Sequence, residues 1–318
     1  MEPRTLITGA TGFIGGRLAA TAVAELPHVR LLTRRPLTPP ATGAGDRWGP
    51  SAETVTGDLR DPDSLRRACE GVDVLIHCAS AIGTDEDTAR SVNDEGTRAL
   101  VDAAVRAGVT RIVSLSTASV HGRGPFRAAA PGTLPLAPGS VTSRTRAAGE
   151  QYVLDAGGTV LRPHLVYGTG DRQLMPGIVR LLAALPGPLD GGSSLHSMVD
   201  VDTLARVLLD AALAPQPAPG AHFVNHPEPV PVADVLASGE ALLAGRAGPA
   251  RGPAVGVAEA RALLADVPFA QHHLAMLADD HWFDDDRPWR EWGTDPGPGF
   301  AATIADHLPW YRGLLGRS

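Results

Sequence analysis

Short apolar runs alternate along the chain with longer stretches in which apolar residues recur at helical spacing. The apolar runs Thr5-Leu6-Ile7 and 29–33 enclose a helical pattern that continues to about Ala24. Strands that alternate with helices in this way form parallel sheets, because each crossover returns the chain to the same edge. The pattern therefore predicts a βαβ unit over residues 5–33.

The same alternation continues through the first half of the chain. Further strands are predicted at 54–56, 72–77, 111–116 and 159–162. Helices are predicted from Asp61-Pro62 onward, over 86–107 and over 142–156; Asp is a common N-cap, and Pro fits the first helical turn. This pattern predicts an α/β fold with a Rossmann-type doubly wound parallel sheet, whose ligands bind at the carboxyl ends of the strands.

The pattern loosens beyond Gly168, where proline-rich stretches interrupt shorter helices. We interpret this part as a smaller C-terminal substrate lobe. The predicted organisation is a dinucleotide-binding domain of residues 1–167, to which 199–225 return, and a lobe of residues 168–198 and 226–318.

Composition narrows the class of protein. The 318 residues carry a net charge of −7 and are 43% hydrophobic, enough for a large core. There is no basic stripe of the kind that binds nucleic acid, and no apolar run of the ~20 residues that span a membrane. The first residues enter a core strand, which argues against a cleaved signal peptide. We expect a cytoplasmic protein with a small-molecule substrate and neither a nucleic-acid nor a membrane partner; the oligomeric state stays open.

The cysteine count excludes two further classes. Cys69 and Cys78 are the only cysteines, too few for a disulfide framework or a four-cysteine zinc site. The histidines and the acidic run near residue 284 lack a metal-ligand spacing, so no metal site is predicted.

Three glycines separate the first predicted strand from the first helix. Gly9, Gly12 and Gly15 stand in the spacing Gly-x-x-Gly-x-x-Gly. Such glycines permit a tight turn, and the helix N-terminus then offers free N–H groups to a pyrophosphate. The strand–turn–helix context favours a dinucleotide site over a simple glycine turn.

The residues after the second strand set the cofactor preference. An acidic residue there binds the ribose 2′-hydroxyl, but this chain has Arg34 and Arg35. The planar guanidinium suits phosphate, so NADPH is favoured, with NADH possible. The alternative is a solvated pair of arginines.

Several motifs, in order along nearly the whole chain, resemble those of the extended short-chain dehydrogenase/reductase family. They are the turn 8–15, Gly57-Asp58-Leu59, His77-Cys78-Ala79-Ser80, Asn93-Asp94-Glu95-Gly96-Thr97 and 161–168. The resemblance implies the Rossmann fold and a nicotinamide cofactor. Together with the turn and the arginines, it predicts these cofactor-binding residues: Gly9, Thr11, Gly12, Phe13, Ile14, Gly15, Arg34, Arg35, Asp58, Leu59, Cys78, Ala79, Ser80, Arg146, Pro163, His164 and Val166.

The active site departs from the family's pattern of Ser or Thr followed by Tyr-x-x-x-Lys. Thr117 occupies the Ser/Thr position, but Thr142 stands in place of the tyrosine and Arg146 in place of the lysine. All 28 basic residues are arginine, and the chain has three tyrosines: Tyr152, Tyr167 and Tyr311.

These replacements remove the usual proton donor. A threonine hydroxyl is far less acidic than a phenol, whose pKa is about 10, so Thr142 is not a general acid at pH 7. Arg146 can bond the nicotinamide ribose, but arginine barely titrates and relays no proton. Tyr152 lies about 15 Å along the helix from Thr142 and cannot substitute.

Hydride transfer survives this loss, because the cofactor carries that chemistry and the protein supplies orientation. A ketone beside an acidic hydroxyl can protonate its own oxygen. We therefore predict that Thr117, Ser116 and Thr142 position such a substrate. Ser119 and His121 are predicted as further substrate contacts, with a packed loop histidine as the alternative for His121.

The missing Tyr–Lys pair resembles the atypical angucyclinone ketoreductases of the simocyclinone type. This resemblance implies NADPH-dependent reduction of an aromatic polyketide or quinone carbonyl in antibiotic tailoring. Two other functions stay open: an inactive NAD(P)-binding sensor or scaffold, and a non-redox tailoring enzyme such as a cyclase or dehydratase.

Overall fold

A computed structural model describes residues 2–36, 52–244 and 252–316. The strands are β1 (Thr5–Thr8), β2 (Val29–Thr33), β3 (Ala52–Thr56), β4 (Val74–His77), β5 (Arg111–Leu115), β6 (Phe126–Ala129), β7 (Thr159–Arg162), β8 (Leu165–Tyr167), β9 (Leu189–Asp190), β10 (Leu195–His196), β11 (Met198–Asp200), β12 (Gly220–Phe223), β13 (Val230–Pro231), β14 (Val255–Gly256) and β15 (His281–Phe283).

The α-helices run between these strands. They are α1 (Phe13–Glu25), α2 (Pro62–Cys69), α3 (Glu86–Ala89), α4 (Glu95–Arg106), α5 (Val141–Asp155), α6 (Leu174–Ala183), α7 (Val201–Leu213), α8 (Val232–Ala244), α9 (Val257–Leu263), α10 (Pro268–Leu277), α11 (Arg287–Arg290) and α12 (Phe300–Leu315). As predicted, α2 begins at Pro62, and the Asp61 carboxylate accepts the N–H groups of Asp63 and Ser64.

Within the described residues, seven parallel strands form the main sheet in the order β12-β7-β5-β4-β1-β2-β3. The strands β1, β2, β4 and β7 are buried throughout, because helices cover both faces of a parallel sheet. The predicted doubly wound fold is confirmed. The strand order reverses between β1 and β4, and such a reversal opens a crevice at the carboxyl ends of the strands.

The helix predicted over 86–107 is not uniform. A π-helical turn at Arg90–Asp94 separates α3 from α4. The wider turn points the Asn93 side chain inward, where it is 3% exposed. The periodicity of the sequence shows the helix but not this local widening.

Three strands of the second half, β13, β10 and β15, form a separate small sheet with β6 from the first half, in the order β13-β10-β15-β6. An apolar core joins α6, α8, α10 and α12 beside it. The domain boundaries given above stay a prediction. No helix within the described ranges is long and apolar enough to cross a membrane.

Candidate active site

The predicted glycine turn leaves no room for a side chain at Gly9 or at Gly15. Gly9 has φ +78°, and a Cβ there would lie 2.6 Å from the Ala79 nitrogen. A Cβ on Gly15 would lie 2.3 Å from the Gly9 carbonyl oxygen. No side chain caps α1 after Gly12, so its first N–H groups stay free for an anion. This cradle fits the pyrophosphate of a dinucleotide.

The residues predicted to hold the adenosine end follow β2 and β3, which pair in parallel from Val29↔Ala52 to Thr33↔Thr56. Arg34 and Arg35 are exposed directly after β2. Asp58 follows β3, and the buried Leu59 packs against Gly96.

The segment after β4 lies under the glycine turn. Cys78 packs beneath it, and burial raises the pKa of its thiol to about 12, so the thiol stays neutral. The Asn93 carboxamide accepts the Ala81 N–H at 2.7 Å and the Ser80 hydroxyl at 3.1 Å, and its nitrogen donates to the Thr145 hydroxyl at 3.0 Å. Asn93 thereby joins this loop to α5.

The segment between β7 and β8 lies beside the predicted catalytic turn, because the Pro163 carbonyl accepts the Ala118 N–H at 2.8 Å. The His164 ring turns away and stacks on His281 with centroids 5.3 Å apart. Burial and the neighbouring imidazoles hold the pKa of His164 well below its usual value. Val166, in β8, pairs with β11.

Two of the predicted catalytic hydroxyls lie just after β5 and at the start of α5. Thr117 follows β5, and its Oγ1 accepts the Ser119 N–H at 3.2 Å and lies 2.9 Å from the Ser119 hydroxyl. Thr142 lies in the first turn of α5, which packs against the short 3-10 turn Ala118–His121. Its hydroxyl contacts no hydrogen-bond partner among the described residues. One of the two hydroxyls of Thr117 and Ser119 donates to the other, so one proton of this pair and the Thr142 hydroxyl proton stay available for a ligand.

Arg146 lies one helical turn after Thr142. Its Nη2 donates to the Leu115 carbonyl at 2.7 Å, at the carboxyl end of β5. Burial lowers the pKa of the guanidinium, while the nearby Glu150 carboxylate opposes this shift. Arg146 also lines a small polar cavity with Ser80 and Asn93.

Ser116 lines the same small cavity as Arg146, and its predicted bond to a substrate stays a prediction. Ser116 is 4% exposed, and its hydroxyl donates to the Glu150 carboxylate. Arg162 holds that carboxylate with two hydrogen bonds, Nε to Oε1 at 3.1 Å and Nη2 to Oε2 at 2.5 Å. The Ser116 hydroxyl is therefore directed inward, toward this ion pair.

His121 is also buried, and its contact with a substrate stays a prediction. His121 is 5% exposed, its Nδ1 donates to the Pro135 carbonyl at 2.9 Å, and its Nε2 accepts from Arg162 at 3.2 Å. Burial lowers the pKa of His121, and the Arg162 charge lowers it further. The alternative of a packed loop histidine describes its position.

The hydroxyls of all three tyrosines form hydrogen bonds with residues outside the predicted active site. Tyr152 donates to Asp94 at 2.9 Å, Tyr167 lies 2.5 Å from the Thr303 hydroxyl, and Tyr311 donates to Asp171 at 3.1 Å. The pKa of Tyr152 is raised by the bond to Asp94, and burial raises that of Tyr167 to about 12. No phenol replaces the missing active-site tyrosine.

Sequence reasoning missed the buried pair of Glu150 and Arg162 and the bridging role of Asn93. One signal was present, because Glu150 follows Arg146 by four residues and so shares its helix face. Arg162 and Asn93 lie in the family motifs, but their partners become visible only in the folded chain.

Asp200, Asp202 and His307 form another cluster, with ligand-type atoms within 4.8 Å of one another. His307 Nε2 donates to Asp200 at 2.5 Å, and Nδ1 accepts the Thr169 N–H at 3.1 Å. Both ring nitrogens are thus occupied by protein groups.

Comparison with known proteins assigns the family. The sequence model of the NAD dependent epimerase/dehydratase family matches residues 5–225. A 3 beta-hydroxysteroid dehydrogenase/Delta 5-->4-isomerase of Mycobacterium tuberculosis is 31% identical over 71% of this chain and 66% of its own length, just under two thirds. A 4-hydroxy-2-methyl-3-oxo-4-farnesyl-3,4-dihydroquinoline-1-oxide ketoreductase of Stigmatella aurantiaca is 30% identical over 73% of this chain and 71% of its own.

Solved structures agree on the fold. DesIV, a dTDP-glucose 4,6-dehydratase from Streptomyces venezuelae with NAD and TYD bound, has a TM-score of 0.75 at 23% identity, covering 99% of this chain and 98% of its own. The structure of gox2253 has a TM-score of 0.74 at 24% identity, covering 98% of both chains. The family description indicates a nicotinamide cofactor. The predicted family resemblance is confirmed: the chain belongs to the NAD-dependent epimerase/dehydratase family.

Proposed function

We propose that this chain is an NADPH-dependent ketoreductase of an aromatic polyketide or quinone-type carbonyl, and that the substrate supplies the proton. One observation carries this proposal. The Thr142 hydroxyl and one hydroxyl proton of the Thr117–Ser119 pair have no partner within the described residues, whereas the hydroxyl of every tyrosine is bound elsewhere. A site of this kind orients a carbonyl but has no side chain of suitable acidity to protonate it.

The cofactor fits the residues at the carboxyl ends of the strands. The glycine turn with Thr11, Phe13 and Ile14 would hold the pyrophosphate, Arg34 and Arg35 the 2′-phosphate, and Asp58 and Leu59 the adenine. The segment 78–80, Arg146, Pro163, His164 and Val166 would hold the nicotinamide riboside. The bound cofactor supplies the hydride.

The protein's own contribution is orientation and charge. Thr117 and Thr142 donate hydrogen bonds to the substrate carbonyl oxygen. Arg146 places a cation next to this pair, because its guanidinium is anchored on the Leu115 carbonyl. A phenol or enol of the substrate, hydrogen-bonded to the same carbonyl, then delivers the proton. Ser119, exposed beyond Thr117, contacts the ring system.

Two exposed apolar side chains in neighbouring loop segments are consistent with a flat aromatic substrate. Ile82 is 51% exposed and follows the loop that Asn93 holds; Leu136 is 52% exposed and precedes Ala137, whose N–H donates to Val120 at 2.9 Å. The name of the Stigmatella relative specifies a 3-oxo group on a dihydroquinoline ring, which supports a ring ketone; its 4-hydroxyl shares a carbon with the farnesyl group and is therefore a tertiary alcohol rather than an acidic phenol. The angucyclinone class and a role in antibiotic tailoring rest on the missing Tyr–Lys pair.

The experiment compares hydroxyanthraquinone or angucyclinone ketones with their O-methylated analogues while NADPH oxidation is followed. Because the methyl ether has no proton to give, we expect it to react at least about a hundredfold more slowly. Equal rates would show that the proton comes from elsewhere. Binding of NADPH without oxidation by any ketone would instead identify a sensor or scaffold.

A further inference from the structure

An arginine outside the predicted site lies at its adenosine end. The strands β2 and β3 run side by side, and the Gly57 N–H donates to the Thr33 carbonyl at 3.0 Å just beyond their ends. Arg34 and Asp58 therefore leave the sheet as neighbours. Arg60 follows two residues after Asp58, with its side chain 54% exposed.

Arg60 encloses the Asp58 carboxylate. Its backbone N–H donates to Oδ1 at 2.9 Å, its Nε to Oδ1 at 3.0 Å and its Nη2 to Oδ2 at 2.8 Å. These bonds lower the pKa of Asp58 to about 2, and the charge of Arg34 contributes to the shift. Asp58 is therefore ionised at physiological pH, and Arg34 lies close enough to interact with this negative charge.

This charge matters for a 2′-phosphate. A carboxylate without a partner would repel the phosphate and would also attract Arg34 to itself. No ion pair of Arg34 or Arg35 occurs within the part of the chain that the structure describes, whereas Asp58 is already bonded to Arg60.

We propose that Arg60 is a specificity-determining residue for NADPH over NADH: it neutralises Asp58 and so leaves Arg34 and Arg35 to the 2′-phosphate. This inference rests on the proposed cofactor site. Arg60 itself does not contact the reacting atoms. The preference for the 2′-phosphate then depends on Asp58 and Arg60 as well as on the two arginines that bind it.

The test measures dissociation constants of NADP⁺ and NAD⁺ without substrate, so it does not depend on any ketone being reduced. We expect Arg60→Gln to weaken NADP⁺ binding about threefold to fivefold, in keeping with an exposed ion pair, and to leave NAD⁺ binding within about twofold. Asp58→Asn alone gives the cost of changing the predicted adenine contact. In the Asp58→Asn background, Arg60→Gln should weaken NADP⁺ binding by less than about twofold, because the carboxylate is then absent.

Arg66→Gln is the matched control. Arg66 is an exposed arginine of α2 that pairs with Asp63, and its loss should change neither constant. The proposal is overturned if Arg60→Gln weakens both nucleotides equally, leaves the preference intact, or behaves like Arg66→Gln. Wild-type protein without any preference for NADP⁺ would overturn the proposed NADPH assignment as well, whereas a preference lost in Arg60→Gln supports the inference even if no ketone is turned over.

Discussion

The guanidinium of Arg146 donates to the main-chain carbonyl of Leu115 at 2.7 Å, so the cation at the family's lysine position is fixed to the end of a sheet strand. A lysine in this position lowers the pKa of a neighbouring phenol. Here the neighbour one turn earlier is Thr142, which has no phenol to activate. Arg146 therefore supplies a fixed positive charge and takes no part in proton transfer.

Replacing Arg146 separates these roles. Arg146→Met leaves the Leu115 carbonyl unbonded and removes the cation, and we expect kcat to fall by more than about tenfold. Arg146→Lys keeps the charge, and its kcat should stay within about threefold of wild type. Steady-state kinetics with NADPH checks both; a large gain in Arg146→Lys would contradict the assigned role.

Thr142 should be dispensable for proton transfer. Thr142→Ala removes one hydrogen bond to the substrate but no general acid, so kcat/KM should stay within about tenfold of wild type. Thr117→Ala removes the main donor and should cost about a hundredfold. A fall below about one-thousandth in Thr142→Ala would show that this hydroxyl does move the proton.

The hydrogen bond from Ser116 to Glu150 predicts that replacing Ser116 lowers the stability of the fold but hardly changes turnover. Ser116→Ala should cost about 1 kcal/mol of unfolding free energy and leave kcat/KM within about threefold. Glu150→Gln leaves the buried Arg162 without its countercharge and should cost about 3–5 kcal/mol. Denaturant unfolding and kinetics measure the two effects. If Ser116→Ala loses as much turnover as Thr117→Ala, Ser116 contacts the substrate after all.

Two adjacent glycines test the cofactor turn. A Cβ on Gly15 would lie 2.3 Å from the Gly9 carbonyl, whereas one on Gly16 would lie 3.3 Å from the Ala10 carbonyl. We expect Gly15→Ala to weaken NADP⁺ binding by more than about tenfold, because the turn must open. Gly16→Ala, in the same helix, should change it by less than about threefold. Comparable losses in both variants would exclude the close approach at Gly15 as the cause.

The buried His77 predicts a loss of stability in acid. Its Nδ1 lies 2.7 Å from the Thr8 hydroxyl and its Nε2 3.1 Å from the Thr97 hydroxyl, and burial lowers its pKa from 6.5 to about 4. The unfolded chain therefore binds the proton first, and stability present above pH 6.5 is lost as the pH falls toward 4. Lowering the pH from 7 to 5 should therefore reduce the free energy of unfolding by about 2 kcal/mol through His77.

Urea unfolding at pH 7 and pH 5 measures this cost. The difference between the two pH values should shrink in His77→Asn by about the same amount and remain unchanged in His28→Asn, at an exposed position. An unchanged pH dependence in His77→Asn would contradict the neutral state of the buried ring.

Local spacing was enough to determine the scaffold. The glycines at 9, 12 and 15, the apolar runs and the helical periods predict the βαβ unit, because turn geometry and amphipathic faces depend on near neighbours. The identity of the residues at 142 and 146 also follows from counting along one helix. The absence of the family's proton donor is thus evident from the amino-acid sequence alone.

Tertiary structure decided where the polar side chains point. Ser116 and Glu150 are 34 residues apart, and His121 and Arg162 are 41 apart, yet both pairs meet in one buried network. A motif shows which residue types follow a strand, but their donors turn toward whichever buried charge must be satisfied. That requirement depends on packing across the whole domain, so it turned Ser116 and His121 inward and left the Thr142 hydroxyl without a partner among the described residues.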